Sequence, residues 1–299
     1  MQFKKITPDD KPRVLEISKN IWEGDDYIHE IFDKWVFDPF GMFEGLYDEE
    51  KLIAYARMTY ITPTDVWLEG LRKDVKIEIK GIGTDFLNHF LGILATKHDI
   101  RSVRFSTYFE NYPSIISSER AGFRKILTCS LKNFEMIHKA PDKNIAPELT
   151  KNISFADFMD YIEKSEYKKR SNGLLSKGWI LYTPEVHFYA DFYTGKKFIV
   201  YVRNNEILGA LLYSKVHYSD SFWITFLEAI KDDIRDQLFW EALRQAQRIG
   251  KKVLQILIPD SDILMQWARS RNFTSWQQEH DVFVYELPLP IHSIQHAKD

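Results

Sequence analysis

The spacing of apolar residues between positions 66 and 94 predicts a strand followed by a helix. Residues 66–71 form a short, mainly apolar run of the kind found in buried strands. Further along, apolar residues recur at helical spacing and define one buried helix face. These residues are Phe86, Leu87, Phe90, Leu91 and Leu94. The segment Lys80-Gly81-Ile82-Gly83-Thr84 turns the chain from the strand into the helix.

The glycine-bearing turn before this helix is a candidate anion site. A helix N-terminus directs several unpaired amide N–H groups and the positive end of the helix dipole at one place, where a phosphate can bind. Glycine suits this turn because a side chain would keep the backbone away from the phosphate oxygens. An ordinary glycine turn between a strand and a helix is the alternative, and spacing alone leaves both open.

The same order of elements occurs twice along the chain. In the first half the pattern predicts helices at 9–20 and 27–37, a hairpin at 43–60, the strand at 66–71 with its helix, a strand at 102–107 and a short helix at 113–120. In the second half it predicts a hairpin at 197–214, a strand at 222–230, a helix at 234–248, a strand at 253–258 and a helix at 261–270. A polar, proline-containing stretch at 138–144 separates the halves. We therefore predict two domains, residues 1–140 and residues 146–299.

The two halves differ at the predicted anion site. Lys231-Asp232-Asp233 stands in the second half where the first half has its glycine turn. Aspartates cap a helix well because their carboxylates take the place that a phosphate would occupy, and they would repel a bound diphosphate. We expect the second half to keep the scaffold and to have lost the anion site.

Composition and charge restrict the class of protein. The 299 residues are 44% hydrophobic and carry a net charge of −3 with both signs interspersed, which predicts no nucleic-acid partner. We find no apolar run of bilayer length and no apolar signal-peptide core, so we expect a cytoplasmic protein with no membrane partner. Cys129 is the only cysteine and lies in a strand-like run, where we expect a core residue. The histidines form no H-E-x-x-H or H-x-H pattern, and His292 and His296, which are four apart, lie in a polar stretch after Pro288 and Pro290, so we expect no metal.

Three sequence blocks carry a family resemblance. They are Trp67-Leu68-Glu69-Gly70-Leu71-Arg72, the glycine turn, and Glu110-Asn111-Tyr112-Pro113-Ser114 with Ala121-Gly122-Phe123-Arg124-Lys125. Together with the element order, they resemble the GNAT family of acetyl-CoA-dependent N-acetyltransferases. The resemblance implies an α/β fold with a mixed sheet, made of two GNAT-like acyl-CoA N-acyltransferase folds in tandem, the second degenerate. The segment from Ile21 to Tyr27, with Trp35, is similar to the histidine N-acetyltransferase subgroup, where a degenerate second half also occurs.

The resemblance implies a set of coenzyme-binding residues. In this family the central strand bulges and separates from its neighbour, so that its amides pair with the pantetheine arm, and the diphosphate binds at the glycine turn. The residues implied here are Leu71, Arg72, Lys73, Ile79, Lys80, Gly81, Ile82, Gly83, Thr84, Asn111 and Ser114. For residues 111–114 a plain turn and helix cap is the alternative, and both can hold at once.

Two positions depart from the family pattern. Glu78 stands where the family usually has glutamine or arginine, and Ile79 where it often has glycine. A carboxylate near a diphosphate weakens binding unless a cation offsets it or it points outward. Ser118 stands where many members have the tyrosine that protonates the departing thiolate. A serine hydroxyl is too weak an acid for this step, although it can hold a water, and Tyr108 or Tyr112 could replace it.

Glu69 is the leading candidate for the general base. It is a charged residue inside an otherwise apolar strand, and burial would raise the pKa of its carboxyl towards a useful range. An amine acceptor must lose a proton before it attacks the thioester, which a nearby carboxylate can accept. The alternative is a structural ion pair between Glu69 and Arg57 or Arg104 on neighbouring strands.

Candidates for acceptor recognition lie in the early helices and on the central strand. Asp25, Asp26 and Tyr27 offer two carboxylates and a hydroxyl for a cationic amine, and Trp67 with Tyr60 could line an aromatic wall. A loop followed by a helix start explains residues 25–27 equally well, and core packing explains each aromatic residue.

We therefore predict an acetyl-CoA-dependent N-acetyltransferase that modifies a primary amine of a small molecule, for example an amino acid such as histidine. We expect it to act as a monomer or a homodimer. The alternative is a catalytically decayed tandem protein that serves as a binding or scaffold module. The residues alone do not identify the acceptor or the length of the acyl chain.

Overall fold

The computed structural model describes residues 1–21, 26–136, 146–215 and 220–289. Its contacts divide the described chain into two compact units. The first unit contains residues 1–126 together with residues 284–289, and the second contains residues 127–283. Both units combine helices with a sheet, which confirms the predicted α/β class. The predicted linker at 138–144 lies outside the described residues, and the predicted domain boundary there stays a prediction.

The elements up to residue 135 follow the predicted order. They are β1 (Gln2–Lys5), a 3-10 turn (Pro8–Asp10), α1 (Lys11–Ser18), α2 (Ile28–Phe37), β2 (Gly41–Asp48), β3 (Lys51–Tyr60), β4 (Asp65–Lys73), α3 (Ile82–Leu94), β5 (Ser102–Tyr108), α4 (Tyr112–Arg120) and β6 (Arg124–Glu135). The predicted helix at 9–20 is shorter, because Pro12 sits in its first turn and the chain before it forms the 3-10 turn.

The elements after residue 145 include several that apolar spacing did not predict. They are β7 (Leu149–Thr150), α5 (Phe155–Glu163), α6 (Glu166–Arg170), β8 (Leu175–Lys177), β9 (Ile180–Tyr182), α7 (Val186–Thr194), β10 (Phe198–Arg203), β11 (Glu206–Lys215), β12 (Ser221–Ala229), α8 (Asp232–Arg248), β13 (Val253–Pro259), α9 (Asp262–Ser270), β14 (Thr274–Ser275) and β15 (Val282–Pro288). The predicted hairpin, strand and helices of the second half correspond to β10 through α9.

The sheet of the first unit has the order β1-β2-β3-β4-β5-β15. The neighbours from β1 to β4 are antiparallel, whereas β4 and β5 are parallel. A core of apolar side chains from α1, α2, β2 and β3 covers one face of the sheet. The predicted apolar face of α3 is buried at Phe86, Leu87, Phe90 and Leu94, whereas Leu91, also predicted there, is half-buried.

The sheet of the second unit has the order β6-β13-β12-β11-β10-β7, with β14 paired to β6. As in the first unit, one pair, β12 with β13, is parallel, and the other neighbours pair antiparallel. Cys129 on β6 is 1% exposed, and burial raises the pKa of its thiol. It is therefore a core residue, as the sequence predicted.

A buried lysine of the second unit gives a testable ion pair. Lys132 is 2% exposed, and its Nζ donates to Ser275 Oγ at 2.9 Å and to Glu279 Oε1 at 3.1 Å. Arg269 also donates to this carboxylate, and the hydrogen bond from Arg269 together with Lys132 lowers the pKa of Glu279 to about 2. The carboxylate thus compensates a charge that would otherwise be buried alone.

We expect Glu279→Gln to lower the free energy of unfolding at pH 7 by about 1 kcal/mol, a small value because water screens the partly exposed carboxylate. Since the folded state depresses this pKa, the stabilisation is present above the ordinary pKa of a glutamate and is lost as the pH falls towards 2. Melting temperatures of both proteins between pH 3 and pH 7 check this. A difference that stays constant over that range would contradict it, and adding Lys132→Met should restore much of the stability.

Candidate functional site

Strand β4 carries a bulge at Gly70 and Leu71. Arg57 pairs with Glu69 and Tyr55 pairs with Arg72, so β4 has one more residue than β3 between these two pairs. Gly70 has a φ of 71°, in the left-handed region that favours glycine. A bulge of this kind interrupts the hydrogen-bond ladder and bends the strand. The predicted disruption at Gly70 is therefore present in the structure.

Trp35 of α2 packs directly over the bulge. A Cβ atom on Gly70 would lie 2.7 Å from Trp35 Cζ3, closer than side chains tolerate. We expect Gly70→Ala to reduce the free energy of unfolding by about 2–4 kcal/mol, because a left-handed backbone and an overpacked contact add together. Denaturant unfolding measures the loss.

Gly250→Ala is the matched control for this substitution. Gly250 has the same φ of 71°, but a Cβ there would meet nothing within 4 Å. We expect this variant to lose only about 1 kcal/mol, from the backbone alone. Equal losses in the two variants would show that the contact with Trp35 does not constrain the bulge.

Strands β4 and β5 separate beyond Trp67. Their parallel pairing is confined to Asp65–Ser102, Val66–Val103 and Trp67–Arg104, although β4 continues to residue 73 and β5 to residue 108. The ladder with β5 thus ends at Trp67, and residues 68–73 form an edge of β4 beyond it. An extended ligand can add to such an edge as a further strand.

The N-terminus of α3 lies beside the bulge. The N-cap residue Gly81 has a φ of 88° and, as a glycine, offers no side-chain cap; the first intrahelical bond runs from the Asp85 N–H to the Gly81 carbonyl. A Cβ on Gly81 would meet nothing within 4 Å, and one on Gly83 would contact Leu71 Cδ2 at 3.3 Å. The half-exposed Leu71 thus joins the bulged strand to the first turn of the helix.

Two side chains brace the loop between β4 and α3. Lys73 Nζ donates to the carbonyl of Ile77 at 2.9 Å and to that of Ile79 at 3.4 Å. The buried carboxylate of Asp74 accepts from the Lys76 N–H at 2.9 Å and pairs with Arg13. Residues at the start of the loop therefore stabilise its conformation. The Lys73 ammonium group hydrogen-bonds carbonyls within the loop.

The two departures in this loop have different surroundings. Glu78 is exposed and Ile79 is half-buried, while Lys80 is exposed like Gly81 and Thr84. An outward carboxylate interferes less with an anion at the helix N-terminus, because water screens it. The sequence left two alternatives for Glu78, namely a carboxylate that weakens anion binding or one that points outward. Its exposure favours the outward orientation.

Glu69 is paired with Arg57, the alternative that the sequence left open. Its Oε1 accepts from Arg57 Nη1 at 2.8 Å and from Thr59 Oγ1 at 3.0 Å. Burial raises the pKa of the Glu69 carboxyl, and Arg57 opposes that rise. A paired carboxylate with a raised pKa is suited to take up and release a proton, so the ion pair does not exclude a catalytic role.

Arg57 is shared between two carboxylates. It also pairs with Asp38 and lies 5.0 Å above the ring of Trp35. Burial, followed by the charge of Arg57, lowers the pKa of the nearby Lys34. A Cβ on Gly41 would lie 2.6 Å from Arg57 Nη2, so glycine leaves the room that the guanidinium occupies. Sequence reasoning missed Asp38 as a member of this cluster. The signal that could have indicated the cluster is Gly41, a glycine that follows an apolar helix and leaves space for a large side chain.

The acceptor candidates are placed differently. Asp26 is buried, pairs with Arg72 Nε at 2.6 Å and accepts from the Ile28 N–H at 3.1 Å. This geometry favours the helix-start reading of Asp26. The Arg72 guanidinium lies 5.6 Å from the ring of Tyr27, and burial raises the pKa of that tyrosine to about 12. Trp67 is 2% exposed, which favours core packing, and Asp25 lies outside the described residues.

The candidates on and before α4 hydrogen-bond within their own segment. Ser118 is buried and its hydroxyl donates to the Ser114 carbonyl at 2.7 Å. Asn111 directly precedes α4, and its Nδ2 donates to Thr107 Oγ1 at 2.9 Å. Tyr112 is 61% exposed. The hydroxyl of Ser118 is therefore engaged by the helix, in keeping with its predicted weakness as an acid.

In the second unit the corresponding gap between strands is filled by the chain itself. The parallel pairing of β12 with β13 ends at Ile224–Ile256. Beyond it, the Glu228 carboxylate accepts from the N–H of Tyr167 at 2.6 Å, and the buried Tyr167 hydroxyl donates to the Leu257 carbonyl at 2.8 Å. Asp233 accepts from the Ile234 N–H at the start of α8. Helix α6 thus lies across this gap, and an aspartate carboxylate accepts from an amide at the start of α8.

Two absences hold within the part of the chain that the structure describes. No group of three or more histidine, cysteine, aspartate or glutamate side chains there could hold a metal ion. None of the described helices is long and apolar enough to span a bilayer.

Comparison with known proteins identifies the fold. No protein-family model matches the sequence, and no curated protein matches it significantly. A GCN5-related N-acetyltransferase from Sphaerobacter thermophilus matches with a TM-score of 0.71 at 12% identity, over 96% of this chain and 95% of that one. A tandem GNAT protein from the clavulanic acid biosynthesis pathway matches with a TM-score of 0.63 at 9% identity, over 96% of this chain and 98% of that one.

A third match is the glucosamine N-acetyltransferase region of a fungal multi-domain β-N-acetylglucosaminidase. Its TM-score is 0.63 at 11% identity, over 95% of this chain and 38% of that one. At such identities the likeness concerns the fold. The chain has the fold of the GCN5-related N-acetyltransferases, in the tandem form.

Proposed function

We propose that the protein is an acetyl-CoA-dependent N-acetyltransferase that acts on the primary amine of a small molecule. The observation that carries this proposal is the bulged edge of β4, separated from β5 and adjacent to the first turn of α3, whose N-cap residue is Gly81. Solved structures with the same fold are acetyltransferases, which supports the same reaction class. The first unit holds this site, because the gap in the second unit is filled.

The residues at the first turn of α3 fit the coenzyme. The amides of Ile82, Gly83 and Thr84 precede the first intrahelical bond, and the open space at Gly81 leaves room for a diphosphate. The amides of residues 71–73 can pair with the pantetheine arm, with the half-exposed Leu71 beside it. Lys80 is exposed near the turn, and Asn111 and Ser114 lie at the start of α4. The coenzyme supplies an acetyl group activated as a thioester.

The chain contributes a base and an oxyanion donor. Glu69 would accept one proton of the acceptor ammonium, so that the neutral amine can attack the thioester carbonyl. As the C–N bond forms the C–S bond would break, and coenzyme A would leave as a thiolate that takes up the second proton of the amine. An amide of the bulged strand, that of Leu71 or Arg72, donates to the carbonyl oxygen as negative charge develops there. Arg57 keeps the Glu69 side chain in place and shares its charge with Asp38.

The acceptor is proposed to enter from the side of α2. Paired positions on β3 and β4 point to the same sheet face, so Glu69 and Arg57 lie on the face that α2 covers, whereas Leu71 contacts α3. Tyr27 borders this region, with its ring 6.3 Å from that of Trp35. The resemblance to the histidine N-acetyltransferase subgroup supports histidine as the specific acceptor. We also propose a cytoplasmic location and a monomeric or homodimeric state.

A binding or scaffold protein is the second candidate. Two observations favour it, namely the ion pair that engages Glu69 and the helix carbonyl that engages the Ser118 hydroxyl. Thermal unfolding with and without acetyl-CoA separates the two candidates, because a ligand at 100 times its dissociation constant stabilises the folded state by about 2.7 kcal/mol. We expect a clear rise in melting temperature, and no rise would contradict the coenzyme site.

A screen of amine acceptors tests the reaction itself. Histidine, other amino acids, amino sugars and polyamines would be incubated with acetyl-CoA and the enzyme while released thiol is recorded. We expect release that depends on one class of amine. Coenzyme binding without release for any amine would favour the scaffold.

A further inference from the structure

Arg104 marks the point at which β4 and β5 separate. It is the last residue of β5 that pairs with β4, opposite Trp67. Its side chain is only 9% exposed, so the guanidinium charge is buried at the narrow end of the gap. A buried charge of this kind must be compensated by neighbours, and those neighbours then fix its position.

Carboxylates from both neighbouring strands contact Arg104. Its Nη2 lies 3.4 Å from Asp65 Oδ1 on β4, and its Nε donates to Glu286 Oε1 on β15 at 2.7 Å. Asp65 is itself held by the Thr62 hydroxyl, which donates to it at 3.0 Å. The guanidinium therefore ties β4, β5 and β15 together where the gap begins.

The adjacent residue of β15 reaches α4. The ring of Tyr285 stacks on Phe105 of β5 with centroids 5.3 Å apart and an angle of 10° between the rings. Its hydroxyl donates to Glu119 Oε1 on α4 at 2.9 Å. One residue further beyond the strand, the Leu289 N–H donates to the Arg101 carbonyl at 2.7 Å. Successive strand residues point to opposite faces, so β15 contacts Arg104 of β5 through Glu286 on one face, and Phe105 of β5 and α4 through Tyr285 on the other.

We infer that β15 is a positioning element of the coenzyme site, in which Glu286 acts through Arg104 on the separation of β4 and β5. This inference rests on the proposed function, because it concerns the same site. β5 and α4 form the wall of the gap opposite β4, and residues from the far end of the chain hold both of them. The first unit therefore needs residues 284–289 to bind coenzyme well, although they lie far from the glycine turn in sequence.

Glu286→Gln in the full chain tests the inference, with Glu279→Gln as the matched control in the second unit. Both substitutions remove a carboxylate from a buried cation and leave a side chain of the same shape. The first readout is the acetyl-CoA dissociation constant from calorimetry. We expect it to rise about tenfold in Glu286→Gln, since displacements near 1 Å can cost about 100-fold, and to stay unchanged in Glu279→Gln.

The second readout is hydrogen–deuterium exchange over residues 102–120, which needs no ligand. We expect faster exchange there in Glu286→Gln only. Unchanged exchange would overturn the inference, and so would faster exchange with unchanged affinity, because β15 would then support the fold without positioning the site. Failure of the proposed function is distinguishable from failure of this inference. In that case a calorimetric titration of the wild-type protein with acetyl-CoA would show no binding.

Tyr285→Phe provides a second test of the inference in case the Glu286→Gln variant does not fold. It keeps the ring on Phe105 and removes only the hydrogen bond to Glu119. We expect faster exchange confined to α4 and a smaller rise in the dissociation constant, about threefold for one hydrogen bond. No change in either quantity would overturn the role of β15.

Discussion

Replacing Gly83 with glutamate should abolish acetyl-CoA binding while leaving the protein at least as stable as the wild type. The new carboxylate would lie in the first turn of α3, where it interacts favourably with the helix dipole and repels the diphosphate. A Cβ there meets only the mobile end of Leu71 at 3.3 Å, and glutamate is a better helix former than glycine by about 0.5–1 kcal/mol. We expect affinity to fall by about 100-fold or more, which is about 3 kcal/mol of lost interaction.

Gly92→Glu provides the control on the same helix. A Cβ at Gly92 meets nothing within 4 Å, and the residue lies near the other end of α3. The variant adds the same charge and the same gain in helix propensity, so we expect wild-type affinity. Calorimetry with acetyl-CoA and thermal unfolding without it measure both variants. Wild-type affinity in Gly83→Glu would place the diphosphate elsewhere.

Glu69→Gln should reduce turnover by about 100-fold or more and change the acetyl-CoA dissociation constant less than twofold. A general base contributes about 100- to 10,000-fold, whereas the coenzyme contacts the strand amides and not this side chain. Glutamine keeps the shape of the side chain, which can still accept from Thr59 and Arg57. Steady-state kinetics and calorimetry separate the two effects.

The role of Glu69 as a base also predicts the direction in which turnover changes with pH. Burial raises the pKa of Glu69, so the wild-type rate should fall as the pH drops through that raised value and the base becomes protonated. The acid limb should be absent in Glu69→Gln. The raised pKa also means that the ionised carboxylate does not stabilise the fold at neutral pH, because its contribution is lost as the pH rises through the folded pKa. We therefore expect little change in melting temperature at pH 7.

Asp38→Asn is the control for the base. It removes the other carboxylate of Arg57 and leaves Glu69 in place. We expect turnover within a few-fold of the wild type and an acid limb that persists. Full activity of Glu69→Gln at neutral pH would remove Glu69 from the mechanism, and an equal loss in both variants would assign it to the ion-pair cluster.

The elements of the first unit could be predicted because their signals are local. The apolar spacing of α3 and the glycines before it lie within fifteen residues, and both are present as predicted. The tandem arrangement was visible because the same order of strands and helices recurs. Between residues 149 and 194 the elements are short, so periodicity gave no clear signal for them.

The side-chain arrangement of the site could not be predicted in the same way. The choice of Arg57 as the partner of Glu69 depends on the register across the bulge, and the bulge residue Gly70 packs against Trp35, more than thirty residues away in sequence. The sequence alone could not decide whether Asp26 recognises the acceptor or starts a helix, because its ion pair with Arg72 joins residues far apart in the chain. The membership of residues 284–289 in the first unit is a long-range pairing that no local pattern indicates.

The most direct test of the central claim is a crystal structure of the protein with coenzyme A bound. We expect the diphosphate within hydrogen-bond distance of the amides of residues 82–84, and the pantetheine arm paired with residues 71–73 of β4. Coenzyme bound at any other place, or an empty pocket at saturating concentration, would contradict the coenzyme site and the reaction built on it.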